Sequence, residues 1–199
     1  VGYREFCNKI WNAIKYVLMS LGDNYTPPST EASSGKESAA DKWILSRLAH
    51  TVNVANVGFK AYDFQNVTTT IHSFWLYDFC GTYMEWAKPV IMSEGDNAAK
   101  QCCRATLYTC ADSALKLISP FMPFLTEELW QRLPRRATDK APSICVAKYP
   151  TDTTARDEAH EANVSIVQGV INTCRSMKAE YKLTSKVSPE VYLKPAADA

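Results

Sequence analysis

Hydrophobic residues recur along most of the chain with the three- and four-residue spacing of amphipathic helices. The clearest case is residues 2–21, where one helical face collects Phe6, Ile10, Ala13, Ile14, Val17 and Leu21. The pattern predicts six helices, over residues 2–21, 38–62, 64–91, 97–118, 126–133 and 154–181. The third of these is apolar on nearly every side, which is typical of a helix at the centre of a bundle.

The segments between and after these helices lack such spacing. Residues 23–38 are rich in Ser, Thr, Pro, Gly, Glu and Lys, and this composition predicts a flexible loop. Residues 186–194 alternate like a β-strand, but the chain offers this strand nothing to pair with. We therefore expect an all-α fold: an antiparallel helix bundle over 1–183, then a short extended segment at 184–199 that begins a truncated C-terminal appendage.

The composition is that of an ordinary soluble protein, with 46% hydrophobic and 22% charged residues and a net charge of +1. Because the charge is nearly balanced, contact with nucleic acid would have to be made by a local patch. Seven cysteines, with no Cys-x-x-Cys spacing among them, favour free thiols and a cytoplasmic location. We also predict no signal peptide and no membrane partner, since no apolar run approaches about 18 residues.

The polar face of the first predicted helix is the strongest candidate for a binding surface. Instead of the usual Glu and Lys pairs, it carries Arg4, Asn8, Trp11, Asn12 and Lys15. Such a mixture can meet phosphates, base edges and the face of a base. The alternative is an ordinary surface, on which the two asparagines bond neighbouring loops and the indole closes the edge of the core.

Two further groups could contribute to such a surface. Trp86 and Lys88 lie where the third helix ends, just before Pro89, and an aromatic ring there could stack on a base. Arg132, Arg135 and Arg136 follow the short fifth helix. The three arginines could contact phosphates, or they could complement the dipole of that helix and aid solubility.

Candidate chemistry for catalysis is missing from the sequence. The three histidines, His50, His72 and His160, are scattered without the spacing of metal ligands. No glycine-rich phosphate loop and no nucleophile elbow occur. We therefore expect a binding or structural module with no catalytic residues, no metal and no cofactor.

Several segments of the chain together resemble the anticodon-binding region of valyl-tRNA synthetases, most closely the eukaryotic cytosolic type. They are residues 6–13 (FCNKIWNA), 61–64 (AYDF), 74–80 (FWLYDFC), 106–110 (TLYTC) and 118–134 (ISPFMPFLTEELWQRLP). The last segment is shared across class Ia synthetases, whereas the first and third segments narrow the resemblance to the valine enzyme. Order and spacing match from residue 2 to about 183.

The resemblance implies a helical bundle that grips the anticodon stem and loop of tRNA and follows a catalytic domain of the same chain. In that family the catalytic domain binds ATP, activates valine and transfers it to the tRNA. Its two ATP signatures, resembling His-Ile-Gly-His and Lys-Met-Ser-Lys-Ser, are missing here. The enzyme implied is thus a valine–tRNA ligase, and this stretch should bind tRNA and catalyse nothing.

Transferred to matching positions, the resemblance assigns anticodon recognition to the first helix and to an aromatic residue near the end of a later one. It implies RNA contacts by Asn8, Trp11, Asn12 and Lys15, with Trp86 and Lys88 second and Arg4 and Lys9 on phosphates. Two alternatives stay open. The chain could be the equivalent domain of the isoleucine, leucine or methionine enzyme, or a helical scaffold that binds proteins through residues 121–130.

Overall fold

The computed structural model describes residues 2–28, 35–95, 97–183, 189–192 and 194. All six predicted helices are confirmed, their ends differing from the predicted ends by at most about four residues, and no strand occurs among the residues described. We label them α1 (Tyr3–Leu21), α2 (Ala39–Ala61), α3 (consecutive segments Phe64–Ser73, Phe74–Tyr83 and Met84–Met92), α4 (Ala98–Ile118), α5 (Pro123–Trp130) and α6 (Glu158–Glu180).

The chain forms two compact units, one of residues up to Asp157 and one from Glu158 onward. The first unit is a bundle of α1 to α5, completed by a 3₁₀ turn at Ile144–Val146. The second contains α6. The predicted boundary after residue 183 adjoins residues 184–188, which lie outside the described part of the chain, and it stays a prediction.

The most deeply buried helix of the bundle is α4. Every residue from 106 to 118 is buried, including polar ones such as Asp112 and Lys116. In α3, by contrast, Tyr77 is 65% exposed. The expectation that the aromatic third helix forms the centre is therefore wrong in part, because the small and polar residues of α4 hide its burial from a hydrophobicity pattern.

Contacts between side chains show how the helices of the bundle are directed. Arg104 near the start of α4 donates to the carbonyl of Ser20 near the end of α1 (2.9 Å), so these two helices are antiparallel. The helices α2 and α3 form an antiparallel pair, since Trp43 packs on Trp86 near one end and Arg47 pairs with Asp78 further along. The predicted antiparallel bundle is thus confirmed for these pairs.

The start of α2 is held by a capping box. The Ser38 hydroxyl accepts from the Asp41 backbone N–H, and the Asp41 carboxylate accepts from the Ser38 backbone N–H. Asp41 also accepts from the Tyr83 hydroxyl of α3 (2.5 Å). The cap therefore fixes α2 to α3 as well as starting the helix.

The middle of α3 is a π-helix over Phe74–Tyr83, longer than the single-turn bulges that are usual. Phe74 and Phe79, five residues apart, stack with an angle of 6° between their rings. A Cβ at Gly81 would lie 2.9 Å from the carbonyl oxygen of Leu76, so this position accommodates the wider turn only without a side chain. The helical period of the sequence gives no sign of this segment.

The predicted flexible loop 23–38 lies partly outside the described residues, which omit 29–34. Before that gap the chain contacts the bundle: Tyr25 packs against Tyr108 (5.9 Å between ring centroids), and the Pro28 carbonyl accepts from Arg136 (3.0 Å). The strand-like alternation at 186–194 lies partly outside the described residues, and residues 189–192 and 194, which are described, form no strand.

Gly58 allows α2 and α3 to approach each other near their connection. A Cβ there would lie 2.4 Å from a Val67 methyl carbon, and Val67 is fully buried. We expect Gly58→Ala to lower the free energy of unfolding of the bundle by about 1–3 kcal/mol, because an overpacked core must shift. Denaturant titration followed by circular dichroism measures this loss.

The matched control for this prediction is Gly169→Ala in α6, where an added Cβ meets no atom within 4 Å. In a helix interior that substitution should be neutral or stabilising by up to about 1 kcal/mol. Equal losses in the two variants would contradict the assignment of Gly58 to a close helix contact.

Candidate nucleic-acid interface

The predicted polar face of α1 is exposed and divides into two adjacent stripes. Its buried side contains all six apolar residues expected there. The first stripe follows four- and three-residue steps through Arg4, Asn8, Trp11 and Lys15, and the second contains Lys9 and Asn12. All six of these polar-face residues are exposed, with Trp11 at 39%.

The first stripe meets the C-terminal end of α5. The guanidinium carbon of Arg132 lies 5.5 Å from the centroid of the Trp11 ring. Glu128, one turn earlier, accepts from Arg132 Nε (3.0 Å) and also from its terminal nitrogen. Both members of this ion pair are more than half exposed. The structure thus brings Arg132 to Trp11, as a common RNA surface would require.

The second stripe faces α3. Burial raises the pKa of the Cys80 thiol of α3 to about 11, and the nearby Lys9 ammonium acts against that shift. Further along, a hydrogen bond to Glu85 raises the pKa of Lys88, to which Tyr16 of α1 adds a smaller electrostatic contribution. Lys88 therefore lies within electrostatic range of Tyr16, and its ammonium is paired with Glu85.

Trp86 does not join Lys88 on that side. Residues two positions apart in the sequence point about 200° apart around a helix. Trp86 is half-buried against Trp43 of α2, with 5.5 Å between the ring centroids. It also lines a small cavity with Asp41 and Tyr83. The structure therefore separates Trp86 from Lys88, although the sequence placed them together.

The three arginines after α5 have three different environments. Only Arg132 lies over α1. Arg135 stacks on Trp130, 3.4 Å from the ring centroid, and donates to Gln131 Oε1 (3.1 Å) and to the Ala141 carbonyl (3.2 Å). The expectation of a common exposed cluster is corrected here, because Arg135 is bound to its own loop.

Arg136 departs furthest from that expectation, since it is only 6% exposed. Its guanidinium donates to the Pro28 carbonyl (3.0 Å) and to Thr109 Oγ1 (3.1 Å), and it lies 5.0 Å from the centroid of the Tyr108 ring. Burial inside the bundle is at odds with the predicted phosphate contact.

A buried network of hydrogen bonds and ion pairs holds the end of α5 against α4. Asp112 of α4 accepts from Trp130 Nε1 (2.8 Å) and from Lys116 Nζ (3.0 Å). Lys116 also donates to Asp139 in the following loop (3.0 Å). Burial would raise the pKa of Asp139, but its hydrogen bonds to Lys116 and to the Ala141 N–H lower it overall. The network fixes α5 and its loop to α4.

The contacts at Trp11 are weak enough to be replaced by a nucleic acid. An exposed cation–π contact contributes about 0.5–1 kcal/mol, and an exposed ion pair four residues apart about 0.3–0.5 kcal/mol. Stacking of one base on an aromatic side chain contributes about 1–3 kcal/mol. A base on Trp11 can thus compete with Arg132 for the ring, while Asn8 and Asn12 offer donors and acceptors for base edges.

Glu128 was not among the residues selected from the sequence. The signal that could have found it is its spacing of four from Arg132, which predicts an ion pair on a helix. Within the described ranges, no group of three or more metal-ligating side chains comes together. The described helices likewise include none long and apolar enough to cross a membrane.

Comparison with known proteins identifies the class. The family described as the anticodon-binding domain of tRNA ligase matches residues 41–193, and the chain belongs to this family.

Particular relatives are valine–tRNA ligases. The chain is 47% identical to valine–tRNA ligase of Homo sapiens over its full length, which is 16% of that protein. It is 44% identical to the mitochondrial valine–tRNA ligase of Saccharomyces cerevisiae over 99% of the chain and 18% of that protein. The resemblance noted in the sequence is confirmed, and the chain spans about a sixth of the length of these relatives.

Proposed function

We propose that this chain is the module of a valine–tRNA ligase that binds the anticodon stem and loop of valine tRNA. The observation that carries the proposal is the exposed face of α1, where Trp11, two asparagines and three basic residues lie side by side, with Arg132 adjoining. A rigid helix can hold an aromatic ring, amides and cations in the arrangement that unstacked loop bases and their phosphates require.

The longer enzyme would attach valine to its tRNA with ATP. In this proposal ATP and valine bind in a catalytic domain outside these residues, and this module requires neither cofactor nor metal. The valine assignment is supported by relatives that are named valine–tRNA ligase and that match the chain over its whole length or nearly so. The proposal excludes the isoleucine, leucine and methionine enzymes. The direct test is to compare the charging of valine tRNA and of isoleucine tRNA by the parent protein.

The proposed location is the cytoplasm. It is supported by seven cysteines that are all free thiols, as expected in a reducing compartment. Relatives named as mitochondrial also match the chain, so the proposal needs its own test. Imaging of the tagged parent protein with a mitochondrial marker would distinguish the two locations.

The function is tested by titrating the chain with RNA hairpins at low salt. The valine anticodon stem-loop should bind more tightly than an isoleucine stem-loop of the same stem. Absence of binding to any hairpin would contradict the proposal. Equal binding to both would reject the valine assignment within this module.

A second candidate function, binding of a protein partner, is favoured by one observation. Phe124 is 90% and Phe121 37% exposed, and Phe121 lines an apolar cavity of about 290 Å³ with Phe6 and Ile118. Exposed aromatic residues beside a cavity are typical of a contact surface. A chain that binds no hairpin but loses a partner on Phe124→Ser would support this function.

Two substitutions on α1 should have different effects on RNA binding. We expect Lys15→Ala to weaken binding to every hairpin and to reduce the salt slope by about one unit, because one phosphate contact is lost. Asn12→Ala should mainly reduce the preference for the valine anticodon, because an amide reads base edges. Fluorescence anisotropy at several salt concentrations measures both effects.

Lys60→Ala is the matched control, since Lys60 is an exposed lysine on α2 and does not belong to the polar face of α1. It should leave the salt slope within experimental error of the parent chain. An unchanged preference in Asn12→Ala would show that the recognition residues are assigned wrongly.

A further inference from the structure

We propose that Trp11, Arg132 and Glu128 form a single nucleotide site in which Glu128 competes with the phosphate of the RNA. The inference rests on the proposed RNA-binding function and adds the acidic residue to it. A base stacks on Trp11, the adjoining phosphate takes Arg132 away from Glu128, and the three side chains therefore select a base that carries a phosphate.

The geometry supplies the parts of this site. Trp11 is 39% exposed, so the ring is accessible, and Arg132 covers it at 5.5 Å. Glu128 binds Arg132 through two nitrogens and is itself about half exposed. The ring and the ion pair come from α1 and from the α5 end, so the site exists only where these two helices meet.

The distance between Trp11 and Arg132 couples the entry of a base to the ion pair between Arg132 and Glu128. A base between the indole and the guanidinium needs about 7 Å, twice a contact distance of about 3.5 Å. The observed 5.5 Å is too short for this. Arg132 must therefore move by about 1.5 Å or turn aside, a change large enough to break a hydrogen bond to Glu128.

Charge determines which ligand benefits from this movement. A base without a phosphate would separate Arg132 from Glu128, and no other acceptor would replace the hydrogen bonds that Arg132 donates to Glu128. A phosphate accepts bidentate bonds from a guanidinium at least as well as a carboxylate does. Lys15 and Arg4, on the same stripe of α1, add positive potential for the neighbouring phosphates.

The test is a double-mutant cycle on binding of the valine anticodon stem-loop to the chain at low salt. Glu128→Gln should tighten binding about two- to threefold, because the internal competitor is removed while the side-chain size is retained. In the Arg132→Ala background the same substitution should give no more gain than the general loss of repulsion that a control carboxylate measures. Both residues are exposed, and circular dichroism verifies that the variants remain folded.

Glu5→Gln is the matched control, because Glu5 is exposed on α1 about 9 Å of helix before Trp11. It removes the same charge from an exposed position of the helix that carries Trp11, so its effect measures the general loss of repulsion. Glu128→Gln should exceed it by about twofold.

The outcomes separate this inference from the proposed function. If the parent chain binds the hairpin and Glu128→Gln behaves like Glu5→Gln, competition by Glu128 is rejected and the function stands. The inference is rejected equally if, without Arg132, Glu128→Gln still gains more than Glu5→Gln does. If the parent chain binds no hairpin, both the inference and the proposed function fail.

Discussion

Replacing Asp112 with alanine should lower the free energy of unfolding of the bundle by about 3–5 kcal/mol, the cost typical of removing one member of a buried ion pair. Asp112 is 3% exposed and accepts from both Trp130 Nε1 and Lys116 Nζ. Without it, an indole N–H and an ammonium group remain buried. Lys116 keeps Asp139 as a partner, whereas the indole loses its acceptor.

Asp112→Asn is the control for this expectation. The amide keeps an oxygen for the indole N–H but cannot neutralise Lys116, so the loss should be smaller, at about 1–3 kcal/mol. Urea denaturation followed by circular dichroism measures both variants, with the slope against urea checked for two-state behaviour. A loss below about 1 kcal/mol in Asp112→Ala would show that the network contributes little to stability.

The network has a second consequence, for the candidate interface. Trp130 ends α5 and carries Arg135 on its ring, while Arg132 extends from the same turn to Trp11. The position of Arg132 therefore depends on a carboxylate buried in α4. A binding surface formed by two helices needs such support, because a loose α5 would separate the guanidinium from the indole.

The helices and the exposed polar face of α1 were predictable because each depends on local spacing. The six apolar residues of α1 repeat with the helical period, and all are buried. The same period places the six candidate residues of the polar face of α1 on the other side, and all six are exposed.

Two of the features that escaped prediction, the burial of Arg136 and the packing of Trp86, depend on residues far apart in the sequence. Arg136 is buried by Pro28 and Thr109, which are 108 and 27 residues away, and a local pattern contains neither. Trp86 is turned towards Trp43 of another helix. The π-helical segment of α3, which contains stacked rings and Gly81, is local but escaped prediction because helical periodicity assumes a regular α-helix.

Arg136 and Arg132, four residues apart, should respond to alanine substitution in opposite ways. Arg136→Ala should destabilise the bundle by about 2–4 kcal/mol, because two charge-assisted hydrogen bonds and a contact with Tyr108 are lost inside it. Binding of the valine stem-loop per folded molecule should stay unchanged. Arg132→Ala should change stability by less than about 1 kcal/mol, since its ion pair and ring contact are exposed.

The effect of Arg132→Ala should appear in binding instead, as an affinity for the stem-loop lowered about five- to tenfold at low salt and a salt slope reduced by about one unit. Arg136→Lys is the informative control. It keeps the charge but cannot form the same pair of bonds, so it should still destabilise the bundle. If Arg136→Ala weakened RNA binding while leaving stability intact, the buried position of its guanidinium would not be the one that the protein uses in solution.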